Sequence, residues 1–265
     1  MINQGPTGVI FPVLTLCRRE VIRFFRQRSR VIGAFVQPLM FWLLIGAGFR
    51  ASFRPPGVPD GASYAVYAYP GILAMVLLFT AIFSTISVVE DRRAGFLQGV
   101  LVAPVGRGTI VLGQALGCTV VAMLQGVLFL ALAPTVGVSL SMRSILGVTA
   151  VMAAASFGLA SLGLIIAWRL ESTQGFHAIM NLVLLPMWVL SGAFFPATGV
   201  PGWLGWAMRL NPMTYSLAAI RWCLYLGTPT AAGPLPGLVF SVLATAVFGI
   251  LAFGTATLVA TRKAI

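Results

Sequence analysis

Acidic side chains are nearly missing from this sequence. Five aspartates and glutamates stand against 17 lysines and arginines in 265 residues, and charged residues make up only 8% of the chain. Soluble domains carry about 25% charged residues. With a mean hydropathy of +0.98, the composition is that of an integral membrane protein. Lysine occurs once, as Lys263, and Ala264 follows it. A phosphate-binding loop needs Gly-Lys-Ser/Thr, so the chain does not hydrolyse a nucleotide by that route. Glu20, Asp60, Glu90, Asp91 and Glu171 all stand at or beyond the ends of hydrophobic runs. A carrier driven by protons or sodium usually holds its coupling ion with ionisable groups inside the membrane, and that class is disfavoured.

Histidine is just as scarce. His177 stands alone, six residues after Glu171, which is not the i, i+4 spacing of a helical zinc pair. No metal set and no catalytic residue is assigned, and His177 reads as an interfacial side chain at the start of a span. Cys17, Cys118 and Cys223 are far apart and odd in number, which excludes a disulfide framework or zinc ribbon and leaves them as small apolar filler. The net charge of +12 is scattered among hydrophobic runs. It serves topology and anionic lipid rather than nucleic acid.

What the sequence has is long apolar runs. Six spans are expected, at about residues 31–49, 67–89, 109–132, 144–168, 176–195 and 236–260, each near the ~20 residues a hydrocarbon core requires. Gln37-Pro38 marks a kink in the first, which reads as a retained anchor rather than a cleaved signal. Ahead of it, residues 12–30 pattern as an amphipathic helix. Arg19, Arg23, Arg26 and Arg30 share one face, opposite Leu14, Cys17, Val21, Phe24 and Phe25. Such a helix is expected to lie in the interface, its arginines among headgroups. Twelve basic residues fall on the side of the termini and five on the other, so the positive-inside rule places both termini in the cytoplasm. Residues 196–235 hold three of the six tryptophans, and short outer helices are expected near 201–209 and 213–226.

The segment 88–107, VVEDRRAGFLQGVLVAPVGR, differs from its surroundings. Asp91 is placed to cap a helix beginning near Arg92, with Glu90 near the positive end of its dipole. Phe96, Leu97, Val100 and Leu101 form one apolar stripe, and Pro104 stops the helix. Eleven helical residues would make a rod of roughly 16 Å. Lipid and a groove on a cytoplasmic partner remain equal candidates for that stripe.

This segment resembles the cytoplasmic coupling segment of type-2 ABC transporter permeases, especially drug, polysaccharide and nodulation-factor exporters. Asp91, Arg92, Gly95, Phe96, Leu97, Leu101, Val102, Pro104, Val105 and Arg107 carry the match. LSGAFFP at 190–196, followed by Pro201 and Trp203, is a second match. NPMTYSLAAIR at 211–221 is a third, through Asn211, Pro212, Thr214, Tyr215 and Arg221. The three occur in the family's order, and the resemblance covers essentially the whole chain. Arg93, Gln98 and Ala218 depart from it, each standing where an acidic residue is common.

The resemblance implies an all-α membrane protein forming a single transporter domain over residues 1–265. It would have six spans, an interfacial helix (12–30), a coupling helix (91–103) and an outer re-entrant segment (196–226). It implies a permease that pairs with a second permease, a copy or a related chain. Separate ABC ATPase subunits would bind ATP and magnesium, so this chain needs no cofactor of its own. Export of a lipophilic or amphipathic substrate across the cytoplasmic membrane would follow. Two other classes stand beside this one: a non-transporting anchor that recruits a cytoplasmic ATPase, and a membrane enzyme acting on lipid, disfavoured by the lack of catalytic groups.

Overall fold

The computed structural model describes residues 7–48, 64–102, 104–195, 200–226 and 236–262. Among them the chain is all helix. Eleven α-helices run in order: α1 (Thr7–Arg26), α2 (Arg28–Gly48), α3 (Tyr64–Ser84), α4 (Ile86–Arg93), α5 (Phe96–Val102), α6 (Arg107–Leu130), α7 (Met142–Ala167), α8 (Thr173–Trp188), α9 (Gly202–Leu210), α10 (Pro212–Leu224) and α11 (Leu238–Arg262). A 3₁₀ turn at Ala133–Val136 follows α6, and a π-helical turn at Val189–Ala193 extends α8.

Among the described residues, five helical stretches are long and apolar enough to cross a membrane: Tyr64–Arg93, Arg107–Leu130, Met142–Ala167, Thr173–Ala193 and Leu238–Arg262. Within α2, Val31–Leu44 is a shorter apolar stretch. The expected spans two to six therefore correspond to observed helices, with ends shifted by a few residues. The two outer helices expected near 201–209 and 213–226 are α9 and α10.

The centre of the bundle is α3. In the Tyr64–Arg93 stretch 89% of the apolar window is buried, against 22% in α11. A helix apolar on every face belongs in the middle of a bundle, and Leu73, Leu77 and Leu78 are fully enclosed there. Small residues let the neighbours close in. A Cβ on Gly126 would meet Met152 and Leu77, one on Gly158 would meet Phe248, and one on Gly163 would meet Thr85.

The N-terminal helix differs from its expected bounds and setting. It covers Thr7–Arg26 rather than 12–30, and the chain breaks at Gln27 before α2 starts at Arg28. The cause is packing: α1 lies along α6 while α2 lies along α3, so the chain must turn between them. Gly113 and Gly117, four apart on α6, receive α1. A Cβ on Gly113 would sit 2.9 Å from the Leu16 Cβ, and one on Gly117 would sit 2.7 Å from the Glu20 Cβ. Glycines at that spacing let two backbones approach as no larger residue allows. Helix α1 is thus docked on protein along one side. Phe24 and Val13 are buried, while Phe11, Leu14 and Phe25 remain exposed.

Candidate functional site

The acidic pair of the 88–107 segment lies at the end of a helix, not at its start. Helix α4 runs through Glu90 and Asp91 and stops at Arg93. Asp91 is therefore no N-cap, and the pair sits at the negative end of the helix dipole, an unfavourable place for carboxylates. The expectation failed because the run from Ile86 continues α3's direction with only a turn at Thr85, where the hydroxyl donates to the Ile82 carbonyl at 2.7 Å. The real stop is Gly95, whose φ of +73° is the left-handed conformation that ends helices and suits glycine.

Two arginines of α1 offset the unfavourable placement. Arg19 grips Asp91 with both nitrogens, Nη1 to Oδ2 and Nη2 to Oδ1, each at 2.6 Å. Arg23 donates from Nη1 to Asp91 Oδ1 at 2.7 Å and from Nη2 to Glu90 Oε2 at 2.5 Å. Such forked, charge-assisted bonds are among the stronger ones available. The Arg19 guanidinium also lies 3.9 Å from the centroid of the Phe96 ring, a cation–π contact. Hydrogen bonding to Asp91 holds Arg19 above its ordinary pKa. Burial pushes the Glu20 carboxyl up, opposed by the Ser87 hydroxyl and by Arg23. Arg19 and Arg23, expected among headgroups, are bonded instead to the acidic pair of the 88–107 segment. Arg26 is exposed, and the side chain of Arg30 lies outside the described residues.

The next two arginines face another way. Arg92 donates to the carbonyls of Leu170 at 2.9 Å and Trp168 at 2.8 Å. Arg93 donates from Nε to the Glu171 carbonyl at 2.8 Å. These are the carbonyls of the turn between α7 and α8. The turn is itself pinned by the Trp168 indole, which donates to Gln114 of α6.

Helix α5 has seven residues, a rod of about 10 Å rather than the longer helix expected over 91–103. Its apolar residues do not share one outward face. Leu97 is buried and belongs to the chain's own core, and Val100 packs partly against that core. Phe96 is exposed under Arg19, and Val102 is 86% exposed. The side chain of Leu101, like residue 103, lies outside the described residues. After Pro104, Val105 packs on the core and Arg107 opens α6, its Nη1 buried without a hydrogen-bond partner among the described residues.

The second and third sequence motifs meet at the other end of α8. The π turn ends at Gly192, with φ +87°. Asn211 caps α10 by accepting from the Met213 N–H at 3.0 Å, with Pro212 in the first turn. Its Nδ2 also donates to the Met187 carbonyl at 2.7 Å. Thr214 donates to the Met208 carbonyl at 2.7 Å, and Tyr215 to the Arg209 carbonyl at 2.7 Å. Arg221, expected among the charges of the outer surface, is buried and donates to the Gly192 carbonyl at 3.0 Å.

A cavity of about 340 Å³ opens between α2 and α8 over the face of α3. Gln27, Glu90 and His177 contribute polar groups, while Pro38, Met75, Phe79 and Phe83 supply apolar wall. The His177 ring lies 5.4 Å from that of Phe83. No cluster of three metal-ligating side chains occurs among the described residues.

The sequence profile of the ABC-2 type transporter family matches residues 12–225. The chain belongs to the ABC-2 type transporter family. It is similar to Nodulation protein J of Rhizobium meliloti (strain 1021), 30% identical over 76% of each chain. It is also similar to the Putative transport permease ycf38 of Cyanophora paradoxa, 27% identical over 79% of this chain and 72% of that one. The ycf38 permease of Porphyra purpurea is 26% identical over 81% and 74%. Family members are transport subunits rather than enzymes, and they normally pair with ABC ATPase subunits. Family and apolar helices together make this a multi-pass membrane permease.

Sequence patterning did not find several residues that hold these sites. Gly113 and Gly117 stand at small-x-x-x-small spacing in a span, a signal that could have found them. Tyr67 and Tyr225 carried no local signal, because their partners are backbone groups more than a hundred residues away.

Proposed function

We propose that this chain is the permease subunit of an ABC exporter in the cytoplasmic membrane. Helix α2 is the first of six spans, and both termini and α5 face the cytoplasm, as the basic-residue asymmetry favours. ATP and magnesium bind on separate ATPase subunits, which the missing phosphate-binding lysine makes necessary. Two permeases pair to form the pathway. The cargo is amphipathic, and the cavity between α2 and α8 supports this: its mixed lining suits a molecule with a hydrogen-bonding head and an apolar body.

One observation carries the reading. The α4–α5 segment is bonded to two other parts of the bundle at once, to α1 through Arg19 and Arg23 and to the α7–α8 turn through Arg92 and Arg93. A helix that only rested in lipid would need neither. A short helix so anchored can pass a push from a partner into the spans, with Phe96 and Val102 as its exposed apolar contacts. Val102→Asp tests this without touching the core. In the purified complex the variant should bind the ATPase at least about tenfold more weakly, as expected where a charge enters the centre of an apolar contact. Unchanged ATPase affinity and turnover would remove α5 as the contact. An anchor without transport would bind the ATPase equally well but move no cargo in vesicles.

A further inference from the structure

Two spans are broken near the outer helices, and one helix repairs both breaks. In α3, Pro70 has no N–H to return to the carbonyl of Val66, and the Tyr225 hydroxyl donates to that carbonyl at 2.5 Å. In α8, the π turn and Gly192 interrupt the ladder. Asn211 donates to the Met187 carbonyl, and Arg221 donates to the Gly192 carbonyl. Unpaired backbone carbonyls are costly where water is excluded. The polar side chains of α10 and of the residues that cap its two ends answer that need in two different spans.

Arg221 is the side chain that reaches both. Its Nη2 lies 3.0 Å from the Gly192 carbonyl and 3.4 Å from the Tyr67 carbonyl, and its guanidinium lies 4.3 Å from the Tyr67 ring centroid. The Tyr67 hydroxyl donates to the same Gly192 carbonyl at 3.4 Å. Arg221 is 3% exposed, and no acidic side chain pairs with it among the described residues. A guanidinium does not lose its proton in a protein. This charge is therefore kept buried on carbonyls and a ring, a costly arrangement for mere packing. At the opposite end, Arg92 and Arg93 tie α4, which continues α3, to the turn that starts α8.

We propose that Arg221 is a positioning residue for export. It clasps the outer ends of α3 and α8 so that a displacement entering through α5 and α4 moves the two spans as one unit. The proposal rests on the exporter reading, and the test separates the two. Spin labels go on the exposed positions Leu185→Cys in α8 and Leu226→Cys, the latter next to Tyr225 and so tied to the outer end of α3, in the complex with its ATPase in nanodiscs. A single label at Val102→Cys serves as the reporter of α5. In the parent complex, nucleotide should change the α5 signal and leave the 185–226 distance narrow. Arg221→Lys keeps the charge but loses the planar guanidinium whose Nη2 reaches both carbonyls. It should at least about double the width of that distance distribution in the nucleotide-bound state, with ATP turnover retained. A narrow distribution in Arg221→Lys overturns the clasp. If that variant does not assemble, Tyr67→Phe, which removes the hydroxyl that shares the Gly192 carbonyl with Arg221, carries the test. It should broaden the same distance to a smaller extent, and no broadening would overturn the clasp. An α5 signal blind to nucleotide in the parent complex would instead overturn the exporter reading.

Discussion

The two ends of the α3–α8 pair are fastened by arginines in different ways. At the α4 end, Arg92 and Arg93 bind the carbonyls of the α7–α8 turn, while Arg19 and Arg23 of α1 brace α4 through carboxylates. The side chains of Arg19, Arg23 and Glu90 are 30%, 22% and 33% exposed, and that of Asp91 is 4% exposed. At the α10 end, Arg221 meets carbonyls and an aromatic ring, fully enclosed. Asp91 is itself buried, but water still reaches both of its arginine partners, and a full ion pair buried in apolar surroundings seldom repays its desolvation. At the enclosed end, Arg221 takes the carbonyl of the left-handed Gly192 in α8, and Tyr225 takes the one that Pro70 leaves free in α3. The scarcity of acid in the sequence is thus a matter of location: Glu20, Glu90 and Asp91 gather at one end of the bundle.

The contrast can be broken most strongly at Asp91. Asp91→Ala strands two arginines and should cost about 2–3 kcal/mol of stability, at the low end for a broken buried pair because the arginines are partly solvated. Denaturant unfolding of the purified chain would measure it, and high salt should shrink the difference from wild type. Next is Gly117→Ala, whose new Cβ would press on Glu20 at 2.7 Å. Pushing α1 off α6 should cost about 1–3 kcal/mol, and crosslinking between cysteines placed on α1 and α4 should weaken. Asn211→Ala removes a helix cap and the bond to Met187, a loss of about 1–2 kcal/mol. Unlike the Asp91 effect, this one should not respond to salt.

The smallest effect is expected at Glu20. Its carboxyl is raised from the ordinary 4.5, burial being the main cause. The folded chain therefore binds that proton more tightly than the unfolded chain. Stability falls as pH rises from the ordinary value through the raised one, and then levels. Glu20→Gln should be more stable than wild type at neutral pH, with the gain fading in acid. Thermal unfolding at two pH values shows the sign, and a loss of stability at neutral pH would contradict it.

The sequence disclosed the five long helices that match spans two to six because long apolar runs need no tertiary information. It disclosed α9 and α10 because Pro201, Asn211 and Pro212 punctuate them locally. It misplaced the role of Asp91, since a cap and a C-terminal ion pair look alike until Arg19 and Arg23 arrive from about seventy residues away. The inward turn of Leu97 was likewise hidden. Its i, i+1, i+4 stripe is correct as periodicity, but only the Gly95 turn decides that Leu97 faces the core while Val102 faces out. For the same reason Leu97→Asp would unfold the segment rather than report on a partner. The motif at 211–221 was legible as a pattern, while its purpose depended on breaks in α3 and α8 that are far away in sequence.

The central claim is that the exposed apolar surface of α5 belongs to an ATPase partner and not to lipid. A photocrosslinker at Val102, in membranes containing the assembled complex, tests it most directly, with Phe240, exposed on α11, as the lipid-facing control. The account predicts an adduct with the ATPase from position 102 and lipid adducts alone from position 240. Lipid adducts alone from both positions would contradict it.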